Sequence, residues 1–349
     1  MCVNIVVLCG GLSPERNVSI SSGGRIASAL RSLGHRAALV DMYFGLEGFG
    51  GSLDEAFDLP LPDTSSAAES EPDIEKVRAS RRYGGAGLFG ERVLNICSYA
   101  ELVFLALHGQ CGEDGRVQAA FDLMGIKYTG SGYLGSALAM DKRLTKILAG
   151  RAGVPTPEWR FYRRGEVSGA LSFPLPCVVK PVDSGSSIGV AIARTQEELA
   201  SAVRHAEAQG SGILVEEYIA GRDVQISILG GKPLPSIEIM PGEGFYDYRN
   251  KYIPGRALEV TPAPIPPETE AELARYALAV YDELGLGALA RADFILDGDN
   301  KLWFLEINTL PGMTPTSLAP QEAAAAGMDY EQLCQALIDL AFKDTEVRI

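Results

Sequence analysis

The sequence has no apolar run of 18 residues, no C-x-x-C pair and only three histidines, and basic residues are outnumbered, 31 Lys and Arg against 45 Asp and Glu. An apolar run of that length is what a membrane helix needs, so none is expected. Without paired spacing, the six cysteines (Cys2, Cys9, Cys97, Cys111, Cys177 and Cys334) are expected as buried free thiols rather than a disulfide framework or zinc site. The formal net charge of −14 opposes nucleic-acid binding, whose affinity comes largely from lysines and arginines that neutralise phosphates. Any phosphate bound here needs a cation and a few placed lysines. The opening MCVNIVVLCG has neither the basic flank nor the apolar length of a signal peptide, and it reads as a buried strand of a cytoplasmic protein.

What is present is a globular composition, 46% apolar and 22% charged, in 349 residues. That length exceeds the ~250–300 residues at which one core stops growing, so two or three domains with clefts between them are expected.

Asn4–Cys9 is rich in Val and Ile and feeds a Gly-Gly turn, then a helix from about Val18 to Leu33. Ala37–Asp41 and Leu102–Leu107 read as further parallel strands, the latter ending in HGQCGEDG, so this first part is an α/β domain. Loops at strand C-termini are where such sheets bind ligands. Residues 60–87, within a polar stretch from about 42 to 95, mark a long surface insertion. A helix from about Tyr133 to Ala152 leads through V-P-T-P into a second domain, whose residues 154–230 alternate strands and one helix. MPGEGFYDYRNKYIP, Met240–Pro254, has aromatics and glycines but no period, as an ordered or lid-like loop does. The last third is a helix, a hairpin and a final helix. His35 and His205 fall outside every motif and are expected at the surface.

The hairpin ARADFILDGDNKLWFLEIN carries the sharpest chemistry. A two- or four-residue loop pairs Asp293 with Phe304 and Arg291 with Glu306. Period-two alternation then sets Arg291, Asp293, Glu306 and Asn308 on one face. Asp293 and Glu306 become diagonal neighbours ~7–8 Å apart at their backbones, able to converge on magnesium, which prefers oxygen ligands and substrate phosphates. A solvent-facing polar side with an Arg291–Glu306 ion pair fits the hairpin equally well. The tail NTLPGMTPTS favours the first reading, because its amides and hydroxyls can grip a carboxylate or oxyanion.

Phe173–Pro181 reads as a strand carrying Lys180 at its end, followed by D-S-G-S-S-I-G. A Lys beside loop amides suits a triphosphate, although a plain flexible turn reads as well and the P-loop order is absent. ILVEEYIAGRD resembles a strand entering a hinge that offers backbone groups to adenine and carboxylates to ribose, or a surface turn. Glu15, after Gly10-Gly11, can hold a substrate ammonium or simply sit in the first turn of the next helix, where the dipole favours it. Gly130–Gly135 matches G-x-G-x-x-G but lies after the α/β domain and lacks the acid about 20 residues on, so it is a poor dinucleotide fingerprint. His108 follows an apolar strand without the partners of a hydrolytic triad.

In this order GGLSPERNVS, HGQCGEDGRVQ, GSGYLGSALAMDK, VVKPVDSGSSIGV, FYDYRNKY, ARADFIL and LEINTLPGMTPTS resemble the D-alanine-D-alanine ligases of the ATP-grasp superfamily over nearly the whole chain. The resemblance implies an α/β and α+β fold of three domains: an N-terminal substrate-binding domain (1–131), a central ATP-grasp subdomain (132–220) and a C-terminal catalytic domain (221–349). It places ATP between the central and C-terminal sheets, on Lys142, Lys180, Ser187, Glu216, Glu217, Tyr218, Ile219, Asp223 and Lys251. Asp223 stands where most members have Glu. Asp293, Glu306 and Asn308 match the ligands of two magnesium ions, for which manganese substitutes.

The implied reaction joins two D-alanines through a D-alanyl phosphate, releasing ADP and phosphate, for peptidoglycan precursors. Glu15 and His108 would hold the first substrate, Arg291 and the Gly312 amide the oxyanion, and Ser317 and Lys251 the second carboxylate. Ser186 and Tyr252 resemble the partners that link Glu15 to two closing loops. Relatives making D-alanyl-D-lactate carry His where this chain has Tyr252, which favours the dipeptide. A homodimer is implied as well. The alternatives are another ATP-grasp carboxylate-amine ligase with a different acceptor, a non-catalytic ATP-binding regulator and a dehydrogenase.

Overall fold

A computed structural model describes residues 2–65, 72–82, 86–167, 171–185, 187–241, 257–314 and 316–344. Ser186, Lys251, Tyr252 and the expected lid-like loop beyond Pro241 lie outside the described residues. The chain divides into two compact units, one of Met1–Tyr133, Gly287–Ala290 and Thr309–Ile349, the other of Leu134–Leu286 and Arg291–Asn308.

In the first unit, β1 (Asn4–Cys9), α1 (Arg16–Ser32), β2 (Arg36–Asp41), α2 (Ile74–Ser80), α3 (Val93–Tyr99), β3 (Leu102–Leu105) and α4 (Arg116–Met124) follow in chain order. The sheet is parallel with order β2-β1-β3, and Ile5 of β1 faces Ala37 on one side and Leu102 on the other. A central parallel strand is covered on both faces, which is why β1 is an unbroken apolar run. Gly23 allows α1 to lie this close to the sheet: a Cβ there would stand 2.7 Å from the Cys9 Cβ and 3.0 Å from Leu39 Cδ1. Below the sheet Val6, Leu8, Val40, Phe57, Ile96, Val103 and Phe121 form one core, so the polar stretch from 42 to 95 still supplies buried side chains at its two ends. Between them α2 buries none.

Two expectations about single residues need correction here. His35 is only 8% exposed, accepting the Val3 N–H at 3.4 Å through Nδ1 and meeting Gln335 Oε1 at 3.1 Å through Nε2, whereas His205 is exposed as expected. Of the six free thiols, Cys2 is exposed and Cys111 half-buried, while the other four are buried. Burial pushes the Cys97 and Cys334 thiols up to about 12.

The second unit starts with α5 (Tyr133–Met140) and α6 (Lys142–Arg151), where one helix was expected. Asp141 breaks it: its backbone is extended and its carboxylate accepts the Leu144 N–H at 3.0 Å, the geometry of an N-cap. Next come β4 (Trp159–Arg163), β5 (Cys177–Pro181), β6 (Ala191–Ala193), α7 (Gln196–Gln209) and β7 (Gly212–Glu217). These strands form an antiparallel sheet of order β4-β7-β5-β6, with Val179, Val215, Leu199 and Val203 in a core beneath α7. Thr195 and Glu198 close a capping box at the start of α7. A second sheet holds β8 (Gly221–Leu229), β9 (Lys232–Pro233), β10 (Ile237–Pro241), β11 (Ala257–Val260), β12 (Leu289–Asp297) and β13 (Leu302–Asn308), with α8 (Pro267–Glu283) leading into β12. Its order is β11-β10-β8-β12-β13, with β9 paired to β8. Among the described residues no helix is long and apolar enough to cross a membrane.

Gly23→Ala should cost about 1–3 kcal/mol by overpacking α1 on β1. Urea denaturation measures this, and an unchanged midpoint would contradict the close helix–strand contact.

Candidate functional site

The β12–β13 hairpin closes with three loop residues rather than two or four. Asp297 N–H donates to Lys301 O at 3.0 Å, and Asn300 takes the left-handed conformation at φ 59°. The expected register is therefore wrong: Phe294 faces Phe304 and Ile295 faces Trp303. Continued without a break, that pairing would set Leu305 opposite Asp293 and turn Glu306 into the core beside Ala292. A β-bulge intervenes between Asp293 and Phe294, after which Asp293 faces Glu306 directly and Arg291 faces Asn308. Arg291, Asp293, Glu306 and Asn308 thus share one face by a route the turn alone does not supply. The two carboxylates are opposite rather than diagonal neighbours.

The cross-strand Arg291–Glu306 pair is replaced by a different set of contacts. Arg291 grips Asp293 with two bonds, Nε to Oδ1 at 2.9 Å and Nη2 to Oδ2 at 3.0 Å, and Asn308 Nδ2 reaches Oδ2 at 3.3 Å. Glu306 instead pairs with Lys142 of α6 at 3.3 Å. Lys142 Nζ also donates to Ser184 O at 2.5 Å, at the start of the Gly/Ser loop.

This face looks into a cleft enclosing about 900 Å³, part of it open to solvent, lined by residues of both sheets of the unit. Lys142, Lys180, Ser187, Glu216, Glu217, Tyr218, Ile219, Asp223, Asp293 and Glu306 all line it, with Val178, Val190, Ile192 and Ile295 as apolar wall. Ser187 is held at φ 57° in the loop after β5. Within the hinge, the Glu217 N–H donates to Glu158 O at 2.8 Å and the Tyr218 N–H to Pro176 O at 3.3 Å, so those two amides are engaged by protein. Asp223 accepts from Gln225 Nε2 at 3.3 Å.

Glu216 lies on the cleft floor, its side chain 2% exposed, between two lysines. Lys180 Nζ is 2.9 Å from Oε2, and Lys146 Nζ is 3.2 Å from Oε1 as an ion pair rather than an aligned hydrogen bond. Lys146 was not foreseen. It is fully buried on α6, one helical turn beyond Lys142, and its Nζ also reaches Phe304 O at 3.5 Å. The i, i+4 spacing from Lys142 is the one signal that could have found it. Burial is the main cause that pushes its pKa down to about 8, with Lys180 lowering it further and Glu216 opposing.

The donor set suits a hard divalent cation. Asp293, Glu306 and the Asn308 amide offer only oxygen, and they stand beside two lysines that suit phosphate. Among the described residues no three His, Cys, Asp or Glu side chains form a closed metal cage. Magnesium needs none, since it takes one or two carboxylates and completes its shell with water and substrate phosphate.

The remaining sequence-identified residues belong to the first unit. Gly10 and Gly11 make the left-handed turn after β1 at φ 74° and 79°. A Cβ on Gly10 would collide with the Asp41 carboxylate, which is ion-paired with Arg16. Glu15 is 7% exposed at the N-terminal boundary of α1, but its side chain caps no helix amide. His108 is buried: Nδ1 meets Leu310 O at 2.9 Å and Nε2 meets Ser22 Oγ at 3.3 Å. The carbonyl must accept, so Nδ1 carries a proton and donates it to Leu310 O. Ser317 precedes the helix Leu318–Ala325, and its Oγ accepts the Thr314 N–H at 2.9 Å. Gly312 packs against it, and a Cβ at that position would stand only 2.7 Å from Ser317 Oγ.

Comparison with known proteins accounts for both units. Residues 4–131 match the family described as D-ala D-ala ligase N-terminus, and residues 148–339 match D-ala D-ala ligase C-terminus. The chain belongs to the D-alanine–D-alanine ligase family. It is 42% identical over 343 residues to the D-alanine–D-alanine ligase of Pediococcus pentosaceus, covering 96% of this chain and 97% of that one. With the enzyme of Lacticaseibacillus casei it shares 38% identity, covering 97% and 95%. The crystal structure of the Bacillus anthracis ligase superposes with a TM-score of 0.75 at 30% identity over 99% of both chains. The same enzyme complexed with ATP gives a TM-score of 0.76 at 28% identity, again over 99% of both. The fold of this family member is accordingly ATP-grasp.

In this ligase-family chain, Glu216→Gln would leave two buried ammonium groups without their shared carboxylate, at a cost of roughly 3–5 kcal/mol in chemical denaturation at neutral pH. Loss of Glu216 lowers the Lys146 pKa below its present value of about 8, against ~10.4 in the unfolded chain. The unfolded state then binds the extra proton, so the variant gains stability as pH rises and its deficit shrinks between about pH 6 and pH 8. A deficit that stays constant across that range would rule out the charge explanation.

Proposed function

We propose that this chain is an ADP-forming D-alanine–D-alanine ligase that makes D-alanyl-D-alanine for peptidoglycan precursors. The observation that carries the reading is the opposition of Asp293 and Glu306 beside Lys142, in a cleft whose floor is Lys180 on Glu216. Family membership over nearly the whole chain supplies the substrate class. ATP is the cosubstrate, with its phosphates toward Lys142, Lys180 and the Ser187 loop, and its adenosine toward the Glu217–Ile219 hinge and Asp223.

The first D-alanine's carboxylate oxygen attacks the γ-phosphorus and ADP leaves, giving a D-alanyl phosphate. The amine of the second D-alanine then attacks the carbonyl carbon, the tetrahedral intermediate expels phosphate, and the amine loses a proton. Asp293, Glu306 and Asn308 are the residues that would hold two magnesium ions, which neutralise the transferring phosphoryl group. Glu15 and His108 are assigned to the first substrate, and Arg291 and the Gly312 amide to the oxyanion. Ser317 and Lys251 are assigned to the second carboxylate. Ser186, Lys251 and Tyr252 rest on the motifs alone. So do the division into domains 1–131, 132–220 and 221–349 and the homodimer, while the cytoplasmic location rests on the character of the opening residues.

The test is phosphate release with ATP, Mg²⁺ and single amino acids. D-Alanine alone should support release and L-alanine should not. Release only with a different acceptor would reassign the chain to another ATP-grasp ligase activity. Removing a metal charge gives a separate check: Asp293→Asn and Glu306→Gln should each lower turnover at least ~100-fold. Near-normal turnover in either variant would discard the metal assignment.

A further inference from the structure

We propose that Glu113 is a positioning residue for acyl transfer: its carboxylate bridges two backbone amides and so fixes the loop that presents the Gly312 N–H. The inference rests on the ligase reading above and adds a residue that no part of that reading uses.

One carboxylate oxygen, Oε2, accepts the Gly109 N–H at 2.8 Å, and the other, Oε1, accepts the Leu310 N–H at 3.0 Å. Both amides belong to the first unit, as does everything else in this clamp. The Leu310 carbonyl is held in turn by His108 Nδ1 at 2.9 Å, so HGQCGEDG grips both backbone groups of Leu310. Three residues on, the Met313 N–H reaches Ser22 Oγ at 3.4 Å and the Met313 carbonyl accepts from the Tyr330 hydroxyl at 2.7 Å. Pro311 between them has a fixed φ and no N–H. Gly312 therefore hangs between two anchored residues, with Ser317 packed against it.

Glu113 supplies the one carboxylate among these anchors, and a carboxylate accepting N–H bonds is worth about twice a neutral acceptor. Its own end is rigid. The Glu113 N–H donates to Gly109 O at 2.9 Å, closing one turn, and Ser13 Oγ donates to His108 O at 2.7 Å, tying that turn to the loop before α1. If the carboxylate is lost, these two bonds still hold the 108–113 turn, whereas the Leu310 N–H loses its acceptor and that residue's backbone keeps only its carbonyl contact.

Phosphoryl transfer places no new charge on the alanyl carbonyl oxygen. Attack by the amine does, because the carbonyl electron pair moves onto oxygen as the N–C bond forms and returns as the C–O bond to phosphate breaks. A misplaced Gly312 amide should therefore slow the second step and spare the first.

Glu113→Gln keeps the shape but turns an NH₂ group toward one of the two N–H donors. With ATP carrying ¹⁸O in the β,γ-bridge, scrambling of the label in the presence of D-alanine reports reversible acyl-phosphate formation, and dipeptide reports its capture. In the variant the ratio of scrambling to dipeptide formation should rise about 10-fold or more, with KM for ATP unchanged, since even ~1 Å of displacement can cost about 100-fold in a single step. A purely structural role would lower both rates together with the folded fraction, and an unchanged ratio overturns the proposal. If Glu113→Gln does not fold, Glu113→Asp serves, being one methylene too short to reach both amides, and the same ratio decides. Wild-type protein that neither scrambles label nor makes dipeptide with D-alanine defeats the ligase reading itself, which separates the two failures.

Discussion

Every cation in the cleft of the second unit, among the described residues, is held by a carboxylate. Lys146 and Lys180 share Glu216, Lys142 pairs with Glu306, and Arg291 pairs with Asp293. An acidic chain that is to hold a triphosphate has few lysines to offer, and a buried ammonium without a partner costs several kcal/mol. Pairing offsets that cost and fixes those lysines in direction before any ligand arrives. The two kinds of pair differ in what happens next. Glu216 is sealed on the floor, so Lys180 keeps its partner when phosphate binds. Asp293 and Glu306 are the proposed metal ligands, so a bound cation would compete with Arg291 and Lys142 for their carboxylates and would leave both side chains available to the substrate's oxygens.

That exchange needs Asp293 and Glu306 on one face, and the β-bulge decides this. With a three-residue turn and no bulge, Leu305 would stand opposite Asp293 and Glu306 would be buried beside Ala292, leaving a charge in the core. The extra residue costs one unpaired rung of the ladder and moves two polar side chains by half a period. Bulges recur next to active sites for this reason.

Much of this was legible in the sequence. Asn4–Cys9 was bounded correctly because a two-sided parallel strand is apolar throughout, and the shared face of Arg291, Asp293, Glu306 and Asn308 was expected. The register behind that face was not. Asp-Gly-Asp-Asn contains several residues able to take φ > 0, so composition does not choose the loop length, and LWFLEIN is too evenly apolar to show where the period slips. Asp141 escaped notice because an N-cap inside a continuous apolar pattern resembles a polar helix position. Lys146 and His35 escaped for a related reason: a lone Lys or His in a sequence is usually solvated, and only the fold shows that Glu216 and Gln335 stand ready to meet them.

The first unit solves a different problem, mostly with backbone groups and uncharged side chains. Catalysis by a backbone amide requires a loop that cannot relax when charge develops, since a donor that must reorganise during the reaction loses most of its value. The 310–313 stretch has no regular secondary structure to hold it, so its stiffness has to come from contacts made at a distance in sequence. Four of its backbone groups are held by side chains from β1–α1, from the HGQCGEDG loop and from the C-terminal helix Tyr330–Asp344. Only one of these four contacts is made by a carboxylate. A motif that looks built for substrate is, at His108 and Glu113, built at least as much for the loop that meets it.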